Sequence, residues 1–113
     1  MHTLVHLVLP EEPGPEHIRD GCYHPPGAGA DALTLCAASV DQVFEIAAHR
    51  FTHHPSLVVW SIDADRLSRP VVMRPLADRP AEVRPHLQGA IELSAVVDRR
   101  HIVRRAGRWR WET

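Results

Sequence analysis

The chain contains no lysine; all thirteen of its basic residues are arginines. A Schiff-base lysine and the lysine of a phosphate-binding loop are therefore excluded. Cysteine is scarce, with only Cys22 and Cys36. Two thiols do not make a disulfide framework, and reduced cysteines in a cytoplasmic protein are the expectation. No apolar run approaches the roughly 20 residues of a membrane span, so none is expected. The first residues lack a charged segment leading into an apolar one, so no signal peptide is expected. Neither sign of charge dominates: thirteen basic residues face fourteen acidic ones. That balance gives no global reason to expect nucleic acid or an anionic membrane as partner. Internal repeats and low-complexity segments are absent as well.

What is present reads as one domain over residues 1–113, long enough for a modest core. The stretch from Leu33 to Asp63 organises it, as strand, helix, turn and strand. Ser39 suits an N-cap, and Gln42 three residues on completes a capping box. Val40, Val43, Phe44, Ala47 and Phe51 recur at helical spacing, which predicts the main helix over 39–51. Pro55 prevents its continuation. Leu57-Val58-Val59-Trp60 is a near-continuous apolar run, the pattern of a strand buried on both faces.

Around this unit the elements are shorter. Thr3–Leu9 reads as a first strand with His6 in its middle. One or two helical turns are expected near Glu16–Arg19, ended by Gly21. Cys22–Asp31, with two prolines and two glycines, reads as a loop. A tight helical turn follows Asp63, then a strand over Pro70–Arg74 and a loop over Leu76–Glu82. Arg84–Ile91 begins as a strand, and Glu92–Ser94 forms a turn. Ala95–Val103 is strand-like, and Gly107 turns the chain into Arg108-Trp109-Arg110-Trp111. Alternation there puts both tryptophans on one face and both arginines on the other. Many short strands with one main helix predict an α+β domain with curved, mostly antiparallel sheets.

The order of these segments resembles the bacterial family catalogued as domain of unknown function 952. Its first strand carries a central histidine, matched by LVHLV with His6. Its glycine-phenylalanine-isoleucine-histidine strand runs into a helix bearing a glutamine. Here the matching positions are Leu33-Thr34-Leu35-Cys36 and Gln42. An isoleucine-aspartate strand end is matched by Ile62-Asp63. A proline-histidine-x-tyrosine-glycine motif is matched by Pro85-His86-Leu87-Gln88-Gly89, and the closing strand by Ala95-Val96-Val97. Three positions depart from the pattern. Cys36 stands for the second histidine, Gln88 for the tyrosine, and Arg74 where a strand usually ends in glutamate. The resemblance implies an ADP-ribosyltransferase-like fold, a dinucleotide-sized cleft between sheets, and His6 positioned to bond a ribose hydroxyl.

The candidate site follows from these positions. His6 and His86 are the expected acid–base pair, since imidazole titrates near neutral pH. Cys36 is the candidate nucleophile, to be activated by a nearby imidazole. Arg74 would anchor a carboxylate or phosphate, Gln88 would orient the ligand, and Trp60 would line the site. No metal is expected, because His24, His49, His53 and His54 do not match the spacing of a known zinc motif. The leading expectation is a small metal-independent enzyme on a small metabolite, such as a cyclase, isomerase or transferase. It would use no cofactor; NAD enters only with the alternative, a nucleotide-binding ADP-ribosyltransferase-like protein. A further alternative is a non-enzymatic accessory module, homodimeric through the tryptophan-rich C-terminal strand.

Overall fold

The computed structural model describes residues 3–10, 17–24, 33–35, 42–69, 71–75 and 80–112. Ten strands and one α-helix occur among them. Strands β1 (Thr3–Val8), β5 (Ser56–Asp63), β9 (Val96–Arg105) and β10 (Arg108–Trp111) form a four-stranded sheet in the order β1-β5-β9-β10. Short strands β2 (Ile18–Arg19), β3 (Cys22–Tyr23) and β8 (Ile91–Glu92) form a second sheet in the order β2-β3-β8. The third runs β4-β7-β6, from β4 (Leu33–Leu35), β7 (Val83–Gln88) and β6 (Val71–Pro75). All pairings are antiparallel. The α+β class with mostly antiparallel sheets is as the residue pattern predicted.

Strand alternation explains the core. On β1, Leu4 and Val8 enter one apolar cluster while Val5 and Leu7 enter another. On β5, Val58, Trp60 and Ile62 go to the first, and Leu57 and Val59 to the second. The near-continuous apolar run of β5 is thus a strand covered on both sides. Helix α1 (Val43–Arg50) covers the second side with Val43 and Ala47, both fully buried. The first side is covered by Tyr23, Leu87, Ile91 and Ala95, which belong to or flank the two small sheets.

The helix is shorter than the predicted 39–51. It begins at Val43, and Phe51 closes it by donating its backbone N–H to the Ala47 carbonyl. The expected cap Ser39 lies outside the described residues, and the Gln42 side chain makes no capping hydrogen bond. Glu45 in the first turn and His49 and Arg50 in the last suit the helix dipole.

Two further departures come from the β2–β3 hairpin. Gly21 does not end a helical turn. With Asp20 it forms the left-handed pair, φ +54° and +73°, that joins β2 to β3. Such Asp-Gly turns match the twist of the flanking strands. The loop expected from Cys22 therefore starts as strand β3, and Tyr23 is buried. At Gly89, φ is +87°, and an added Cβ would lie 3.1 Å from the Arg69 side chain. A register shift between Ser61 and Ile62 against β9 leaves Val97 as the extra residue, 52% exposed. Extra bulge residues commonly lose their place in the ladder in this way.

Candidate functional site

Register brings together side chains that lie far apart in the chain. His6 on β1 stands opposite Trp60 on β5, and Trp60 stands opposite Arg99 on β9. Directly opposed residues share one face of a sheet. That face is the one covered by the two small sheets, because Trp60 belongs to the first core cluster. Tyr23 reaches across from β3. Its ring meets Trp60 edge-on, with centroids 5.1 Å apart and planes at 62°. The His6 ring lies 6.5 Å from that of Tyr23, tilted by 51°. The Arg99 guanidinium sits over the Trp60 ring at 5.1 Å. Edge-on aromatic pairs and cation–ring stacking of this kind each contribute about 1 kcal/mol.

Burial divides the roles. Tyr23 and Trp60 are essentially buried, at 2% and 1% exposure. His6 is half-buried and Arg99 exposed. Trp60, expected to line the ligand, is walled in by Tyr23 and Arg99. It therefore holds its neighbours, and a ligand would meet it only where Arg99 moves aside. His6 and Arg99 are the groups at the rim of this cluster. Sequence reading missed Tyr23, because a two-residue strand has no readable period. It also gave Arg99 no place among the candidate site residues.

The second histidine sits elsewhere. His86 on β7 lies opposite Leu35 and Val72. Its neighbour Leu87 enters the first core cluster, so alternation sends His86 to the other side of the strand. Its Nδ1 lies 2.9 Å from the Arg84 carbonyl oxygen. A carbonyl only accepts, so Nδ1–H donates and Nε2 is left as the basic nitrogen. Arg84, on the same side, bonds Glu82 at 3.0 Å and lies 3.8 Å from Glu45 of α1. Its Nε is buried with no hydrogen-bond partner. Arg74 stands opposite Arg84 and is exposed at the strand end. No described contact links His86 or Arg74 to the His6–Tyr23–Trp60–Arg99 cluster. Cys36 lies outside the described residues, as does the side chain of Gln88.

A third polar group lies near the small sheet. Glu92 accepts hydrogen bonds from the Ser68 backbone N–H at 2.6 Å and from its hydroxyl at 2.8 Å. The backbone bond above all, then the hydroxyl and the Arg69 charge, holds the Glu92 carboxyl below its usual range. Among the described residues no group of three or more His, Cys, Asp or Glu side chains could hold a metal ion.

The C-terminal tryptophans turn inward. Trp109 and Trp111 pack against the second core cluster. Trp111 meets Phe44 of α1 edge-on at 5.3 Å and carries the Arg100 guanidinium at 3.9 Å. The ring of Trp111 thus packs on the protein's own helix, while β10, on which the homodimeric alternative relied, remains the edge strand of its sheet.

The comparisons with known proteins extend the fold and leave the chemistry open. Two crystal structures of protein CC0527 from Caulobacter crescentus, one of a double mutant, superpose with a TM-score of 0.73. They are 19% and 18% identical, and the match covers 96% of this chain and 93% of that one. At that identity the likeness is one of fold. No curated protein matches significantly. The profile of DUF952, described as "Protein of unknown function", matches residues 19–99. That span holds Cys36, Trp60, Arg74, His86, Gln88 and Arg99, and begins after His6. The motif order from the isoleucine-aspartate pair to the closing strand falls within it, and the chain belongs to the DUF952 family.

Proposed function

We propose that this protein is a metal-independent enzyme on a small anionic metabolite, with its site at the rim of the His6–Tyr23–Trp60–Arg99 cluster. The reaction is a cyclisation, isomerisation or group transfer assisted by proton transfer. His6 is the acid–base residue. Imidazole exchanges a proton near neutral pH, and half-burial leaves one side reachable. Arg99 binds the anionic group of the substrate through its planar fork of donors. Tyr23 and Trp60 fix the two working groups in place, as a packed support should. The observation that carries this reading is the convergence of imidazole, phenol, indole and guanidinium from four strands. Core packing alone calls for neither the imidazole nor the guanidinium. His86, with Nδ1 held by a carbonyl, is a second base on a separate surface. A free Cys22 thiol suits a reducing compartment.

The finer reading of the architecture is ADP-ribosyltransferase-like, with NAD as the ligand to try first. It is supported by a first-strand histidine on a main sheet that faces two smaller ones. Calorimetric titration with NAD, ADP-ribose and a panel of phosphorylated and carboxylated metabolites tests both statements. Binding should weaken at least about tenfold in Arg99→Gln. Turnover should fall about a hundredfold or more in His6→Gln. Absence of NAD binding at millimolar concentration would discard the nucleotide reading. Unchanged binding and turnover in both variants would discard the site.

A further inference from the structure

Six of the thirteen arginines fall in β9 and β10. Their sorting onto two faces is a consequence of register. Ile102 enters the core beneath α1, so Arg100 and Arg104 share its side of β9. Arg99, His101, Val103 and Arg105 take the other. Arg105 stands opposite Arg108, and Val103 opposite Arg110. Arg99, His101, Arg105, Arg108 and Arg110 therefore lie on one face, and all five are exposed. Among the described residues no carboxylate pairs with Arg105, Arg108 or Arg110.

Folding alone does not account for this. Like charges placed directly opposite on a sheet destabilise it. Arg105 and Arg108 are held so by the left-handed pair Ala106 and Gly107, φ +52° and +77°. Arginines on edge strand β10 would discourage strand-to-strand aggregation. That reason does not extend to Arg105, which lies on β9 where β10 covers it. An anion between the guanidinia would turn the repulsion into attraction. The track is too long for one phosphate: from Arg105 to Arg99 it runs about 20 Å at strand rise. Alternate residues along it are spaced about 7 Å apart, close to the step between successive phosphates of an extended strand. Past the end of β10 it reaches a shallow hollow of about 250 Å³ lined by Arg99, Arg100, His101 and Glu112.

We propose that this face binds the phosphate backbone of a nucleic acid. Both tryptophans of β10 lie on the opposite face, so neither is available for base stacking, and His101 is the one aromatic ring among the five exposed residues. Recognition is therefore through phosphates, independent of sequence and steeply dependent on salt.

Fluorescence anisotropy of the full chain with short mixed-sequence oligonucleotides tests it. Four engaged guanidinia predict about a 50-fold loss of single-strand affinity between about 50 and 200 mM salt. The variant Arg105→Gln, Arg108→Gln, Arg110→Gln should bind at least about tenfold more weakly at the lower salt, with a flatter salt dependence. Its melting temperature should equal or exceed the parent's, because a like-charge pair is removed. Should that variant fail to fold, Arg108→Gln alone should flatten the salt slope by about one contact. No binding at the lowest salt overturns the proposal. So does equal binding by the variants, or binding of polyglutamate with the same affinity and salt dependence. His6→Gln should leave oligonucleotide binding intact, which separates failure here from failure of the proposed enzyme.

Discussion

The two faces of the four-stranded sheet are made by the same strands with the same period, yet they differ in kind. The face under α1 is lined by Val5, Leu7, Leu57, Val59 and Ile102 against Val43 and Ala47. These fully packed side chains are all aliphatic, with the rings of Phe44, Phe51, Trp109 and Trp111 only partly buried around them. The face under the small sheets mixes aliphatic groups with Trp60 and Tyr23, with His6 and Arg99 at its margins. A helix presents a smooth apolar stripe and excludes water along its length. The cover of the second face is pieced together from short strands of two sheets, so titratable groups can sit at its margin and remain reachable. On the function proposed above, stability and chemistry fall on opposite sides of one sheet.

That division can be broken by experiment. Leu57→Ala, at a fully buried position beneath the helix, should cost about 2–5 kcal/mol in chemical denaturation. Ligand affinity should be unchanged wherever the variant is folded. A parallel loss of affinity would show that the faces are not independent. Tyr23→Phe keeps the ring and removes the hydroxyl, and should cost about 0.5–1.5 kcal/mol. Here turnover should fall as well, because Tyr23 helps to place His6. Arg100→Gln removes the cation over Trp111 and should cost about 0.5–1 kcal/mol, with neither ligand affinity nor turnover altered.

The smallest effect is electrostatic. Glu92 has its folded pKa lowered by Ser68. Its contribution is therefore present above the unfolded pKa and lost as pH falls through the folded one. The Glu92→Gln variant should be less stable than the parent at neutral pH by under about 1 kcal/mol, since the group is largely solvated. The difference should vanish on acidification below the normal carboxylate range. A gap that persists in acid would point to packing instead.

Much of the fold was legible because it is local. The alternation of LVHLV and the unbroken run at Leu57–Trp60 identify the strands that both cores share. The apolar spacing of Val43, Phe44 and Ala47 identifies the helix. The alternation of Arg108-Trp109-Arg110-Trp111 correctly separates tryptophans from arginines. Residues 18–24 were misread, because two short strands around an Asp-Gly turn offer too few residues for any period to show. The site was legible in part. His6 and Trp60 were named, but as members of a cleft with His86, and no described contact joins His86 to them.

The amino-acid pattern by itself determined which side chains share a face of each strand and where the helix lies. Both follow from the fixed two-residue and 3.6-residue repeats of the backbone. Tertiary structure alone decided that His6 would meet Tyr23, that Trp60 would be capped by Arg99, and that Arg105 would confront Arg108. Those meetings depend on the pairing register of strands and on which sheet covers which face. Register is chosen by burial summed over the whole sheet, and no single segment carries that sum.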